Sequence, residues 1–92
     1  MLSGNIVLAA LASPRRREIL RLVWNEELSA GTIHRAMPDV TFGAISLQLR
    51  SLLEDGLVEA RAESRQRFYR ARRRAIRKLR FASDSYDVVP KS

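Results

Sequence analysis

With 92 residues the chain has room for one small domain, a size that buries only somewhat over about 60% of its unfolded surface; without cysteine it has neither disulfides nor thiolate metal sites, and a single histidine, His34, cannot chelate a metal alone. The net charge of +7 is unevenly placed, since residues 1–60 carry six arginines against seven acidic residues while residues 61–80 carry ten lysines and arginines against Glu63 alone. That leaves a +9 segment, which suits a polyanion better than a solvated helix of mixed sign.

The opening MLSGNIVLAALASP ends its apolar run on Ala10-Leu11-Ala12, like a small-residue cleavage site, yet no positive charge precedes the run and the segment is short for a secretory leader. No stretch approaches the roughly 20 apolar residues of a membrane span. The expectation is a cytoplasmic protein. Residues 3–12 are predicted to form a first helix that is apolar on more than one face and needs cover on several sides. Ser13 and Pro14 supply an N-cap and a first-turn proline for a second helix, RRREILRLVWNEE, with Ile19, Leu20, Leu22, Val23 and Trp24 as its core face. The positive charges of Arg15, Arg16 and Arg17 oppose the helix dipole there, which fits either a phosphate partner or an exposed run.

Ser29 is the next cap, opening the short segment AGTIHRAM, which stops before Pro38. Thr41 then caps the helix FGAISLQLRSLLED, whose apolar stripe is Ile45, Leu49, Leu52 and Leu53 and whose stop is Gly56. After Gly56 the period changes, and LVEARA and RFYRA, separated by ESRQ, read as a two-stranded hairpin. From Arg72 to about Phe81 the pattern is helical again, with Ile76 and Leu79 inside a basic shell, and residues 83–92 read as a loose tail beyond a domain of residues 1–82.

Two helices joined by a short connection, then a basic hairpin and another helix, follow the order of a winged helix-turn-helix. The expected architecture is mainly α, with about five helices and a two-stranded wing. SPRRREILRLVWNEELSAGTIHRAM followed by TFGAISLQLRSLLEDGLVEARAESRQRFYRA resembles the ArsR/SmtB family of bacterial and archaeal transcriptional repressors. The resemblance covers roughly residues 5 to 80 and is strongest from Ala44 to Val58, where Ala44, Ile45, Ser46, Leu49, Arg50, Leu52, Glu54, Gly56, Leu57 and Val58 all fit the family's pattern. RQRFYRA also looks like the family's second wing strand, in which an aromatic returns to the core.

Three departures stand out. ELSAGTIHRAM lacks the cysteine-containing motif of the metal-sensing members, Phe42-Gly43 replaces the usual pair at the helix start, and Leu47 stands where a basic or polar residue is common.

The resemblance implies a homodimeric repressor of double-stranded DNA; the missing cysteines set aside a thiolate-based metal sensor, and no cofactor or metal is expected. DNA contacts are then expected from Thr41, Phe42, Gly43, Ser46, Leu47, Gln48 and Arg50 on the recognition helix and from Arg61, Arg65 and Arg67 on the wing. The dimer interface is expected from Ile6, Val7, Leu8, Leu11, Ile76 and Leu79. At about 100° per residue, Gly43, Leu47, Arg50 and Glu54 lie opposite the core stripe, so Leu47 either packs on a thymine methyl, meets a protein, or is an ordinary exposed leucine. Gln48 lies at the edge of the stripe, open to core or DNA contact. His34 reads as a surface histidine. An enzyme is disfavoured for want of a nucleophile, base and orienter. The alternative function is a winged-helix protein-interaction module anchored by Leu47 and Phe42.

Overall fold

The computed structural model describes residues 13–78. In chain order they form α1 (Pro14–Leu22), β1 (Leu28–Ser29), α2 (Ala30–Ala36), α3 (Phe42–Glu54), β2 (Val58–Glu63) and β3 (Gln66–Ala71), followed by a short helix, α4, over residues 73–78. The predicted first helix, the tail, and the interface residues Ile6, Val7, Leu8, Leu11 and Leu79 lie outside the described residues.

Each helix begins where a cap directs it. Ser13 accepts the Arg16 amide at 3.3 Å ahead of Pro14, Ser29 accepts that of Thr32 at 3.2 Å, and Thr41 accepts that of Ala44 at 3.1 Å. α1 ends at Leu22, earlier than its pattern predicts, because the Val23 and Trp24 amides turn back onto the last carbonyls. α3 closes in a Schellman motif: Leu57 N–H donates to the Leu52 carbonyl at 2.9 Å and Gly56 N–H to that of Leu53 at 3.0 Å. Gly56 sits at φ +74, a left-handed position suited to glycine. The reversal aims the chain directly into β2.

The core joins Ile19, Leu20 and Val23 of the α1 end to Ile33 of α2, Ile45, Leu49 and Leu52 of α3, and Leu57, Val58, Tyr69, Ala71 and Ile76 beyond. Ile45, Leu49 and Leu52 are fully buried and Leu53 partly so, along the stripe predicted from their spacing, and Ile33 of α2 is fully buried with them. Ile76, expected at a dimer interface, lies instead inside this core at 5% exposure, so its apolar area is already used by its own chain.

The sheet has three strands, not two, in the order β1-β3-β2, all antiparallel. β1 escaped the sequence because two residues carry no period; Leu28 opposite Tyr69 and Ser29 opposite Phe68 become a strand only through that pairing. Along β2 and β3, the pairs Val58–Ala71 and Ala60–Tyr69 turn toward the core. Of the two wing aromatics, Tyr69 is therefore the one that returns to the core. From Arg61 to Arg67 every residue is exposed, and the hairpin stands clear of the body as a wing.

The wing turns on two residues, Ser64 and Arg65, between the paired Glu63 and Gln66. Both have positive φ, 51 and 68, the arrangement of a type I′ turn that ordinarily favours Asn-Gly. An L side chain in that region costs roughly 1 to 2 kcal/mol, against a smaller entropic penalty for glycine. Arg65→Gly is therefore expected to stabilise the fold by about 0.5 to 1 kcal/mol, read as a higher denaturation midpoint at unchanged slope.

Candidate nucleic-acid interface

α2 and α3 form a helix-turn-helix across residues 37–41, where Met37 N–H bonds the His34 carbonyl and Val40 N–H that of Met37, each at 3.0 Å. His34 and Phe42 meet edge to face at 5.8 Å between centroids, joining the end of α2 to the start of α3. His34 thus has a structural neighbour, and among the described residues no group of three or more His, Cys, Asp or Glu side chains could hold a metal.

The rotation of α3 about its axis is fixed from α1 by Arg16. Its guanidinium donates to Gln48 Oε1 at 3.0 Å, to Ser51 Oγ, and to Asp55 Oδ2 at 3.3 Å. Arg16 and Asp55 side chains are only 20% and 19% exposed, so this ion pair is far less screened than a surface one. Two expectations change. Arg16 is a brace between helices, not a member of an exposed run, and Gln48 is turned inward as its acceptor instead of toward a base. The signal was present as Gln48, Ser51 and Asp55, one polar line at helical spacing beside the apolar stripe.

With the stripe buried and Gln48 engaged, α3 exposes Phe42, Gly43, Ser46, Leu47, Arg50 and Glu54. Thr41 is also exposed, but its hydroxyl oxygen is the helix cap. The first turn of α3 contains no acidic residue, so no side chain of that turn offsets the positive end of the helix dipole. A methyl added at Gly43 would meet nothing within 4 Å, so nothing in the described chain requires glycine there.

On the wing, Arg61 departs from expectation. It forks onto Glu27 with Nε and Nη2, each at 2.9 Å, bonds Glu63 with Nη1, and lies 5.2 Å from the centroid of the Phe68 ring, its partner across the strands. Glu63 first, then Glu27, hold its proton above the ordinary arginine value. Two carboxylates thus neutralise Arg61, and it braces the wing rather than presenting a free charge. Arg65 and Arg67 at the tip are exposed and make no ion pair within the described residues, as is Arg50 on α3.

Arg16→Ala is expected to destabilise the fold by about 1 to 3 kcal/mol, because it strands a partly buried carboxylate and amide. A denaturation double-mutant cycle with Asp55→Ala is expected to give a coupling above about 0.5 kcal/mol. Arg16→Lys should not restore it, since an ammonium lacks the planar fork that reaches three acceptors.

No family model matches this sequence. It is 36% identical over 64 residues to the transcriptional activator HlyU of Vibrio cholerae, a match spanning 70% of this chain and 58% of HlyU. A solved structure of a possible transcriptional regulator for arsenical resistance superposes with a TM-score of 0.78 at 34% identity, covering 87% of this chain and 82% of that one. The homodimeric winged helix-turn-helix DNA-binding domain of a possible ArsR-family transcriptional regulator from Mycobacterium bovis superposes with a TM-score of 0.71 at 31% identity, over 90% and 77% of the two chains.

Proposed function

The chain belongs to the ArsR family of transcriptional regulators, and from that premise we propose that it is a dimeric, sequence-specific binder of double-stranded DNA that acts as a repressor. One observation carries the reading. Among the described residues the outward face of α3 is exposed, and the wing that follows it offers Arg65 and Arg67 without carboxylate partners.

In this arrangement α3 lies in the major groove, where its N-terminal half meets base edges. Ser46 and Arg50 donate to bases or phosphates, and the α3 amino end, with no acidic residue in its first turn, faces a phosphate. Arg65 and Arg67 lie on the flanking backbone, positioning the protein without reading sequence. Thr41, Gln48 and Arg61 act one step back: the first caps α3, the second holds its rotation, and the third stiffens the wing. Binding that occludes a promoter represses it; the same docking beside a promoter activates, and HlyU carries the name of an activator.

The Mycobacterium relative is a homodimer, and the apolar run from Ile6 to Leu11 gives this chain a segment suited to the same assembly. Two copies then present two α3 helices to half-sites about 34 Å apart. No reaction is assigned, for the one histidine packs on Phe42 and no cysteine exists. Among the described residues no helix is long and apolar enough to cross a membrane, and the cytoplasm is the compartment where this function has its substrate.

Binding to duplex DNA is expected to weaken linearly in log-log form with salt, at about −0.9 per phosphate neutralised. In anisotropy titrations Arg67→Ala should flatten that slope by about one, while Arg61→Ala should leave it nearly unchanged. Arg65→Gly should bind more weakly despite folding more stably. A slope near zero for the wild type would rule the reading out.

Sedimentation at micromolar concentration is expected to give twice the chain mass, and Leu8→Glu to abolish that species. A folded wild-type monomer under those conditions contradicts the dimer.

A further inference from the structure

We propose that α3 recognises its DNA in large part through a methyl contact, with Leu47 packing on the C5 methyl of a thymine in the major groove and so selecting thymine at that position of the half-site. This rests on the DNA-docking reading above and specifies what the docked face recognises.

Phe42 and Leu47 are the exposed large hydrophobic residues among those described, at 49% and 65%. Leu47 is about 200° around the helix from fully buried Ile45, so it points away from the core instead of lying at its margin. The side chain best suited to read adenine with two hydrogen bonds, Gln48, is held by Arg16 at 3.0 Å. What remains outward for hydrogen bonding in the first three turns is Ser46 and Arg50. Between them stands a leucine, which has no hydrogen bond to offer and one good partner on a base edge, the thymine methyl.

Gly43, one turn before Leu47 on the same side, adds an independent feature. It has room for a methyl yet lacks one, and the bare backbone lets a groove wall approach closely beside the leucine. The surrounding charge selects the occupant. The apolar spot is flanked by Arg50 on its own helix and followed by the +9 segment of residues 61–80, a setting complementary to a polyanion that itself carries methyl groups.

The test begins with selection of bound duplexes from a random pool by the full chain. Each thymine of the enriched half-site is then replaced singly by uracil, which keeps the pairing and the O4 acceptor and removes only the methyl. Wild-type affinity is expected to fall about four-fold at one position, and about fifteen-fold when both half-sites are changed, as for a buried methylene-sized group. Leu47→Ala, a change at an exposed helical position that leaves the core intact, should bind thymine and uracil versions alike, whereas Leu47→Met should retain the preference. Uracil tolerated at every position, or undiminished methyl sensitivity in Leu47→Ala, overturns the proposal and leaves DNA docking standing. Failure to enrich any duplex removes both. Wild-type DNA affinity in Leu47→Glu overturns it too.

Discussion

The angular setting of α3 governs everything else this molecule presents, because turning the helix by one residue would move its leucines out and its polar side chains in. Two kinds of interaction hold that setting. Ile45, Leu49 and Leu52 are driven inward by the hydrophobic effect, which is strong but non-directional. Arg16 supplies direction, since a planar guanidinium satisfied by Gln48, Ser51 and Asp55 admits one rotation of the facing helix. The brace spans α1 and α3, so the outward face is defined relative to the body and not merely relative to the turn before it.

Charge is sorted by the same geometry. Some arginines are absorbed into structure: Arg16 beneath α3, and Arg61 between Glu27, Glu63 and Phe68. Others, notably Arg50, Arg65 and Arg67, stay exposed and have no ion pair among the described residues. Asp55, Glu27 and Glu63 are the carboxylates that the two bracing arginines engage. Composition alone conceals this division, for all five are arginines and only their neighbours differ.

That is also why the sequence was legible in some places and not in others. Ser13-Pro14, Ser29, Thr41 and Gly56 announced the helix boundaries because caps and left-handed stops are local chemistry. The spacing of Ile45, Leu49 and Leu52 disclosed the buried face for a similar reason. β1 was hidden, since Leu28 and Ser29 owe their conformation to β3, forty residues away in the chain. The partners of Gln48 and Arg61 were hidden in the same manner: each lies 32 or 34 residues distant, in Arg16 and Glu27, and no local pattern encodes that distance. Ile76 was read as interface because an apolar pair in a basic helix cannot say whose core it enters.

Ser29 is both the hydroxyl cap of α2 and the residue that faces Phe68 across the sheet. One residue thus welds the start of the helix-turn-helix to the middle of the wing. A wing joined only at its base would swing independently of α2 and α3, and its alignment on a ligand would carry an entropic cost of its own. With the weld in place, helix and wing meet a surface as a single preorganised body, and the orientational freedom lost on association is that of one object instead of two.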